Sequence, residues 1–291
     1  MSRLREIRDV LFDAVLSGAL EVIQVKRSGE WNAAARDATE LVTTADQLSD
    51  AAILSVFHAR LPQIDSEISF YLEESGHHGL SSAKEVGADP LDGTNHFICA
   101  GTSYSVQAHY VEDGVPQIGV VFQPEVFLPL EETDRCLGRI VSAIRGEGAF
   151  MQRSEFAVDH FELNASRQVH RKLAPETKRF VACIPVSARM LPDERDRVRS
   201  IIGSDIVSVT TGVGGAGGNV MLTVFGGQQV YANFGAGLDL DLIPPQVIAV
   251  EAGLTVWGID RKAPLWHVRK QPFLVAPSPQ IAELFLAAAG Y

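Results

Sequence analysis

Apolar positions in the first thirty residues recur with a helical period. Leu4, Ile7, Val10, Leu11, Ala14, Val15, Ala19 and Val22 share one stripe, which predicts a helix from Arg3 to Lys26. A less regular stretch, SGEWNAAARDATELV, separates it from a second helical pattern that includes Leu48, Ala51, Ala52, Leu54, Val56 and Phe57. Thr44 or Asp46 is placed to cap that helix, and Pro62 to end it. The period then shortens. Strand-like runs cover Glu67 to Leu72 and Glu85 to Ala88. Tyr104 to Tyr110 and Gln117 to Phe122 flank Glu112-Asp113-Gly114, a hairpin signal, and Leu137 to Ile144 and Gly148 to Met151 extend the meander.

Asn164 to Lys178 has little periodicity and reads as a connection. Beyond it, strand-like FVACIPV, DIVSVT and QQVYANF alternate with helix-like MLPDERDRVRSIIG, NVMLTVF and PQVIAVEAG, and PQIAELFLAAAG forms a last helix. Alternation of this kind is the mark of an α/β unit. The expected organisation is an α+β lobe with an antiparallel sheet over residues 1–165, followed by an α/β lobe over 166–291.

Composition narrows the class. Of 291 residues, 46% are apolar and 21% charged, as in an ordinary globular chain. The net charge of -11 disfavours a nucleic acid polymer or an anionic membrane as partner. No apolar stretch is long enough to span a bilayer, and the N-terminus lacks the apolar core of a signal peptide. Cys99, Cys136 and Cys183 are too scattered for a disulfide framework, and they read as buried small hydrophobes in a reducing, cytoplasmic setting.

The chemistry concentrates in ADPLDGTNHF, Ala88 to Phe97. Pro90 stiffens the chain between Asp89 and Asp92, so that the segment leaves a strand in a bend. Such a bend directs both carboxylates to one side and leaves the Leu91 carbonyl free. Gly93 admits close backbone approach, and the amides of Gly93 and Thr94 are suited to an anion. Two carboxylates this close repel, and a divalent cation relieves the conflict. Hard oxygen ligands suit Mg²⁺ or Mn²⁺. A plain surface turn is the competing reading of these ten residues alone.

Three further segments decide between them: Val42-Thr43-Thr44-Ala45-Asp46, Glu73-Glu74-Ser75, and Asp241 with Glu251 ten residues on. In this order and spacing, the four segments resemble the inositol monophosphatase family of metal-dependent phosphatases. Its superfamily includes fructose bisphosphatases and bisphosphate nucleotidases. The resemblance runs from about residue 4 to residue 286. It implies a layered αβαβα sandwich of the sugar-phosphatase type, a homodimer, lithium inhibition, and Mg²⁺-dependent hydrolysis of a small phosphorylated metabolite. It further implies that Glu73, Asp89, the Leu91 carbonyl, Asp92 and Asp241 hold the ions. Asp46 and Thr94, with Glu73, serve the attacking water. Gly93, Thr94, Asn95, His96, Gly212 and Asn233 line the phosphate and substrate.

The pattern has departures. Asn95-His96 follow Thr94, Leu72 precedes the glutamates, Leu240 precedes Asp241, and Pro244-Pro245 enter what is expected to be the first turn of a helix opening at Asp241. Asp239 competes with Asp241 for the ligand role, and the spacing to Glu251 favours Asp241. Asn233 stands where the family carries an acidic substrate-binding residue, which weighs against inositol monophosphate as substrate. Two rival functions follow: a metal- and phosphate-binding member with weakened turnover, and a dinucleotide-dependent oxidoreductase using G-x-G-x-x-G at Gly212 to Gly217. The glycine cluster begins too late for the usual further βαβ units, so a helix N-terminus facing a phosphate ester is preferred. His77-His78 reads as a solvated loop, Trp257, Trp266 and His267 as packing, Glu131-Glu132 and Asp193-Glu194 as solvated faces. Ser103 and Ser105 lack a His–Asp partner and are not read as nucleophiles.

Overall fold

The computed structural model describes residues 2–35, 41–80, 82–99, 103–127, 136–157, 160–170, 179–186, 190–211, 214–234, 239–264 and 272–291. In chain order the elements are α1 (Arg3–Ser28), β1 (Ala33–Ala35), β2 (Leu41–Thr43), α2 (Thr44–Ile64), β3 (Ser69–Leu72), β4 (Gly76–His78), β5 (Lys84–Asp92) and α3 (Thr94–Ile98). The meander is β6 (Ser105–Glu112), β7 (Val115–Phe127), β8 (Cys136–Ile144), β9 (Gly148–Ala157), β10 (His160–Leu163) and β11 (Arg167–Gln168). There follow β12 (Phe180–Cys183), α4 (Pro192–Ile202), β13 (Val207–Thr211), α5 (Ala216–Val224), β14 (Val230–Asn233), α6 (Asp239–Glu251), β15 (Thr255–Gly258), β16 (Phe273–Ala276) and α7 (Pro279–Ala288).

Two large sheets and three helical layers alternate as αβαβα, and β1 and β2 form a separate antiparallel pair. The larger sheet has the order β10-β9-β8-β7-β6-β5-β3-β4, with β11 on β9; the smaller is β13-β12-β14-β16-β15. The stripe on α1 buries Ile7, Val10, Leu11, Ala14, Val15, Ala19 and Val22 with α2 against one face of the larger sheet. Helices α5 and α6 fill the space between the sheets, where Val121, Val141, Val220, Ile248 and Val275 meet. Helices α4 and α7 cover the outer face of the smaller sheet through Val198, Ile201 and Phe285. Residues 112–115 make the expected hairpin, with positive φ at both Asp113 and Gly114. Glu251 ties the layers together: its two oxygens accept from the Gly146 and Gly148 amides at 2.9 and 2.8 Å, pinning the end of α6 to the β8–β9 turn.

Several expectations change. Thr43, rather than Thr44 or Asp46, caps α2; its Oγ1 accepts from the Ala45 amide, while Asp46 reaches back to the Thr43 N–H. Pro62 lies inside α2, which runs on to Ile64; the ring forgoes one helical hydrogen bond, and the helix ends two residues later. The D-P-L-D segment does not leave its strand at Pro90. It stays in β5, with the register against β6 shifted between Asp89 and Asp92. Helix α6 opens at Asp239, so Pro244 and Pro245 fall in its second turn rather than its first. His77-His78 belongs to β4, where His77 stacks on Tyr71 at 4.4 Å, instead of a loop. Cys99 is exposed and Cys183 buried. Trp266, His267 and Glu131-Glu132 lie outside the described residues, as does the Cys136 side chain.

Along β6, Ser105, Gln107 and His109 alternate with Val106, Ala108 and Tyr110, and every one of them is buried. His109 pairs with Gly87 on β5 and with Gly119 on β7. A Cβ on Gly87 would overlap the His109 ring and approach Leu240, and one on Gly119 would overlap the Pro244 backbone. The glycines therefore make the slot in which the ring sits and α6 packs. Burial lowers the His109 pKa to about 3, so the folded protein refuses the proton that an unfolded chain takes near pH 6.5. His109 costs no stability above that value. It draws stability down as pH falls from about 6.5 toward 3. Urea unfolding across this window is expected to show a shallower acid loss in His109→Gln than in wild type, by up to about 1.4 kcal/mol per pH unit. Parallel profiles would contradict it.

Candidate metal centre

The ends of β3 and β5 and the first turn of α6 meet at one edge of the larger sheet. Ser69 to Leu72 run parallel to Glu85 to Ala88, which places Glu73 just past β3 beside Asp89 on β5. Its amide donates to the Ala88 carbonyl at 3.3 Å. Asp241 arrives on α6. One oxygen from each of Glu73, Asp89 and Asp241 lies within 4.8 Å of the others. Asp89 is fully buried, whereas Glu73 and Asp241 are half-buried. Burial, then the charges of Glu73, Asp241 and Asp92, push the Asp89 carboxyl well above the usual carboxylate range.

Helix α2 braces this edge. Ser49 Oγ donates to the Pro90 carbonyl at 2.8 Å, and Asp50 Oδ1 accepts from the Glu74 amide at 3.3 Å. Asp46 Oδ2 accepts from the Thr43 amide at 2.7 Å and the Thr43 hydroxyl at 2.6 Å. This leaves Oδ1 facing Thr94, whose Oγ1 lies 2.9 Å away and also 3.1 Å from the Leu91 carbonyl. A hydroxyl has one proton, so Thr94 serves these acceptors one at a time. Burial raises the Asp46 pKa, against the pull of its Thr43 and Thr94 hydrogen bonds.

Asp92 is bound differently from the other three carboxylates. Oδ1 accepts from the Ala216 amide at 3.0 Å; Oδ2 accepts from the Gly217 amide at 2.8 Å and from Ser105 Oγ at 2.9 Å. It therefore occupies the N-terminus of α5, where backbone N–H groups and the helix dipole favour negative charge. Burial nevertheless pushes its pKa up to about 6. The small residues of the glycine cluster are what allow this approach: a Cβ on Gly215 would overlap the Asp92 carboxylate. That carboxylate stands where a dinucleotide pyrophosphate would sit, which removes the basis for the dinucleotide reading.

Of the remaining expected positions, Gly93 turns the chain with φ of 92° into α3, which carries exposed Asn95 and half-buried His96. Asn233 is buried on β14, with Nδ2 3.5 Å from the Tyr231 hydroxyl. Gly212 and the Asp239 side chain lie outside the described residues. Thr43, Ser49, Asp50, Ser105 and Gln107 all border the centre and were not anticipated. The visible signal for Ser105 and Gln107 was polar alternation in YSVQAHY, which reads equally well as a solvated strand face.

The sequence profile described as the inositol monophosphatase family matches residues 3–290. The chain belongs to the inositol monophosphatase family. Among curated relatives, a histidinol-phosphatase of Chlorobaculum parvum is 30% identical over 128 residues, which is 44% of either chain. This chain thus matches under half the length of that relative. Among solved structures, the extragenic suppressor protein SuhB of Bartonella henselae superposes with a TM-score of 0.75 at 17% identity, covering 97% of this chain and 98% of that one. An IMPase/NADP phosphatase complexed with Mg²⁺ and phosphate gives 0.71 at 20% identity, covering 99% and 96%. These superpositions establish the layered fold that the resemblance implied. Among the described residues, no helix is long and apolar enough to cross a membrane.

Gly217→Ala places a methyl group 2.9 Å from Asp92 Oδ2 and Ser105 Oγ, and closer still to Gln107 Oε1. The variant is expected to lose about 1–3 kcal/mol of stability in chemical denaturation, the usual cost of overpacking. Wild-type stability would mean that α5 is not seated on Asp92.

Proposed function

We propose that this inositol monophosphatase family member hydrolyses a small phosphate monoester with the help of Mg²⁺. The observation that carries the reading is the convergence of Glu73, Asp89 and Asp241 from three separate segments, beside the Asp46–Thr94 pair. The donor set fits the ion: it is all oxygen, and it includes a buried carboxylate whose neighbours' charges oppose its ionisation. Glu73, Asp89, Asp241, the Leu91 carbonyl and Asp92 would hold it. When bound there, Mg²⁺ supplies charge neutralisation at the phosphoryl oxygens and acidifies water. The IMPase/NADP phosphatase of the same fold is complexed with Mg²⁺ and phosphate, which supports the assignment.

The chain's own residues do the rest. Thr94 Oγ1 accepts a hydrogen bond from the attacking water and passes its proton toward Asp46 Oδ1. Burial raises the Asp46 pKa, which makes it a better proton acceptor than an ordinary carboxylate. Thr43 fixes the other oxygen of Asp46, so the carboxylate cannot turn away. Asn95, exposed, and His96, half-buried, follow Thr94 in α3 and would take the substrate. Asn233 offers an amide rather than a charge, which favours an alcohol or sugar portion other than inositol.

Phosphate release from sugar, inositol, histidinol and nucleotide monophosphates is expected to require Mg²⁺ and to stop on chelation. Asp46→Asn is expected to lower kcat by about 10²–10⁴-fold with little change in KM. Mg²⁺ binding with no release from any member of the panel would favour the binding protein without turnover. Full activity in Asp46→Asn would remove this carboxylate from the mechanism.

A further inference from the structure

Gln107 is completely buried on β6, directly opposite Asp89 on β5. Among the described residues, neither its Oε1 nor its Nε2 has a hydrogen-bond partner. A buried carboxamide with no partner is costly and calls for an explanation. Its oxygen points at Gly217: a Cβ there would overlap Gln107 Oε1 and lie 2.9 Å from Asp92 Oδ2 and from Ser105 Oγ. Gly217 thus lies against three side-chain oxygens, those of Gln107, Asp92 and Ser105, and in this conformation its amide donates to Asp92. With both oxygens engaged by α5 and Ser105, Asp92 cannot turn toward Glu73, Asp89 and Asp241 without releasing a buried N–H.

We propose that Gln107 is a positioning residue for cation binding: its Oε1 takes over the Gly217 amide when Asp92 turns toward a cation held by Glu73, Asp89 and Asp241. The proposal rests on the reading of that cluster as a cation site. A carboxamide suits the task because it is a neutral acceptor; a glutamate would add a further charge to an enclosed group of carboxylates, and an aliphatic residue would leave the amide bare. The exchange keeps the Gly217 amide of α5 paired. The Gln107 Oε1 left unpaired in the cation-free state becomes paired in the loaded state, which favours loading.

Gln107→Met keeps the length of the side chain and removes the acceptor. Calorimetric titration with Mg²⁺ alone is expected to show affinity about tenfold weaker than wild type, the effect of stranding one buried amide. Thermal unfolding in chelator is expected to be unchanged or shifted upward, because the variant loses an unpaired polar group. Wild-type affinity in the variant would overturn the proposal while leaving the cation site intact. A marked loss of cation-free stability would also overturn it, by making Gln107 an ordinary packing residue. Absence of Mg²⁺ binding in wild type would overturn both readings. Amide hydrogen exchange on wild type gives a second readout that does not depend on the variant. Gly217 is expected to stay protected when Mg²⁺ is added, and loss of its protection on loading would rule out the exchange.

Discussion

The structure depends on keeping three like charges together. Carboxylate oxygens less than 5 Å apart repel by about 3 kcal/mol per pair at an effective dielectric near 20, reduced where water reaches Glu73 and Asp241. No local preference of the chain would gather them. They are held because each sits on an element fixed by packing elsewhere: Glu73 at the end of β3, Asp89 within β5, and Asp241 on α6, which is wedged between two sheets. The stability of the αβαβα core is what makes the repulsion sustainable, and a hard divalent cation is what relieves it.

The same logic explains the polar groups around the centre. Helix α2 contributes Asp46 from its capping box, so a residue that starts the helix also meets the Thr94 hydroxyl. Ser49 and Asp50, one turn further on, hold the Pro90 carbonyl and the Glu74 amide. Helix α5 presents its N-terminal amides to Asp92, and small residues let it come close enough. Each helix facing the site therefore both seals the core and sets the position of one carboxylate. A Cβ at Gly215 or Gly217 would therefore press on the Asp92 carboxylate.

Much of this was legible in the chain because the segments that carry the acidic residues are local patterns. D-P-L-D-G-T, E-E-S and V-T-T-A-D carry their own backbone instructions, and the periodicity of α1 and the Asp113-Gly114 hairpin follows directly from residue type. The ambiguous features were those decided by tertiary context. Alternation along β6 cannot say whether Ser105, Gln107 and His109 meet water or a helix; Gly87 and Gly119 turn that face inward by letting α6 approach. Spacing alone does not show that a register shift between Asp89 and Asp92 sets Asp92 against the α5 amides. The prolines of α6 suit a first turn by residue type, but the helix begins at Asp239 and they fall in its second. Cys99 looked like core and is exposed, since α3 is too short to cover its own end.

Anomalous scattering from crystals soaked in Mn²⁺ offers the most direct trial of the central idea. Convergent carboxylates predict a strong peak bounded by Glu73, Asp89 and Asp241. Full Mn²⁺ occupancy elsewhere, with nothing between these three side chains, would contradict it.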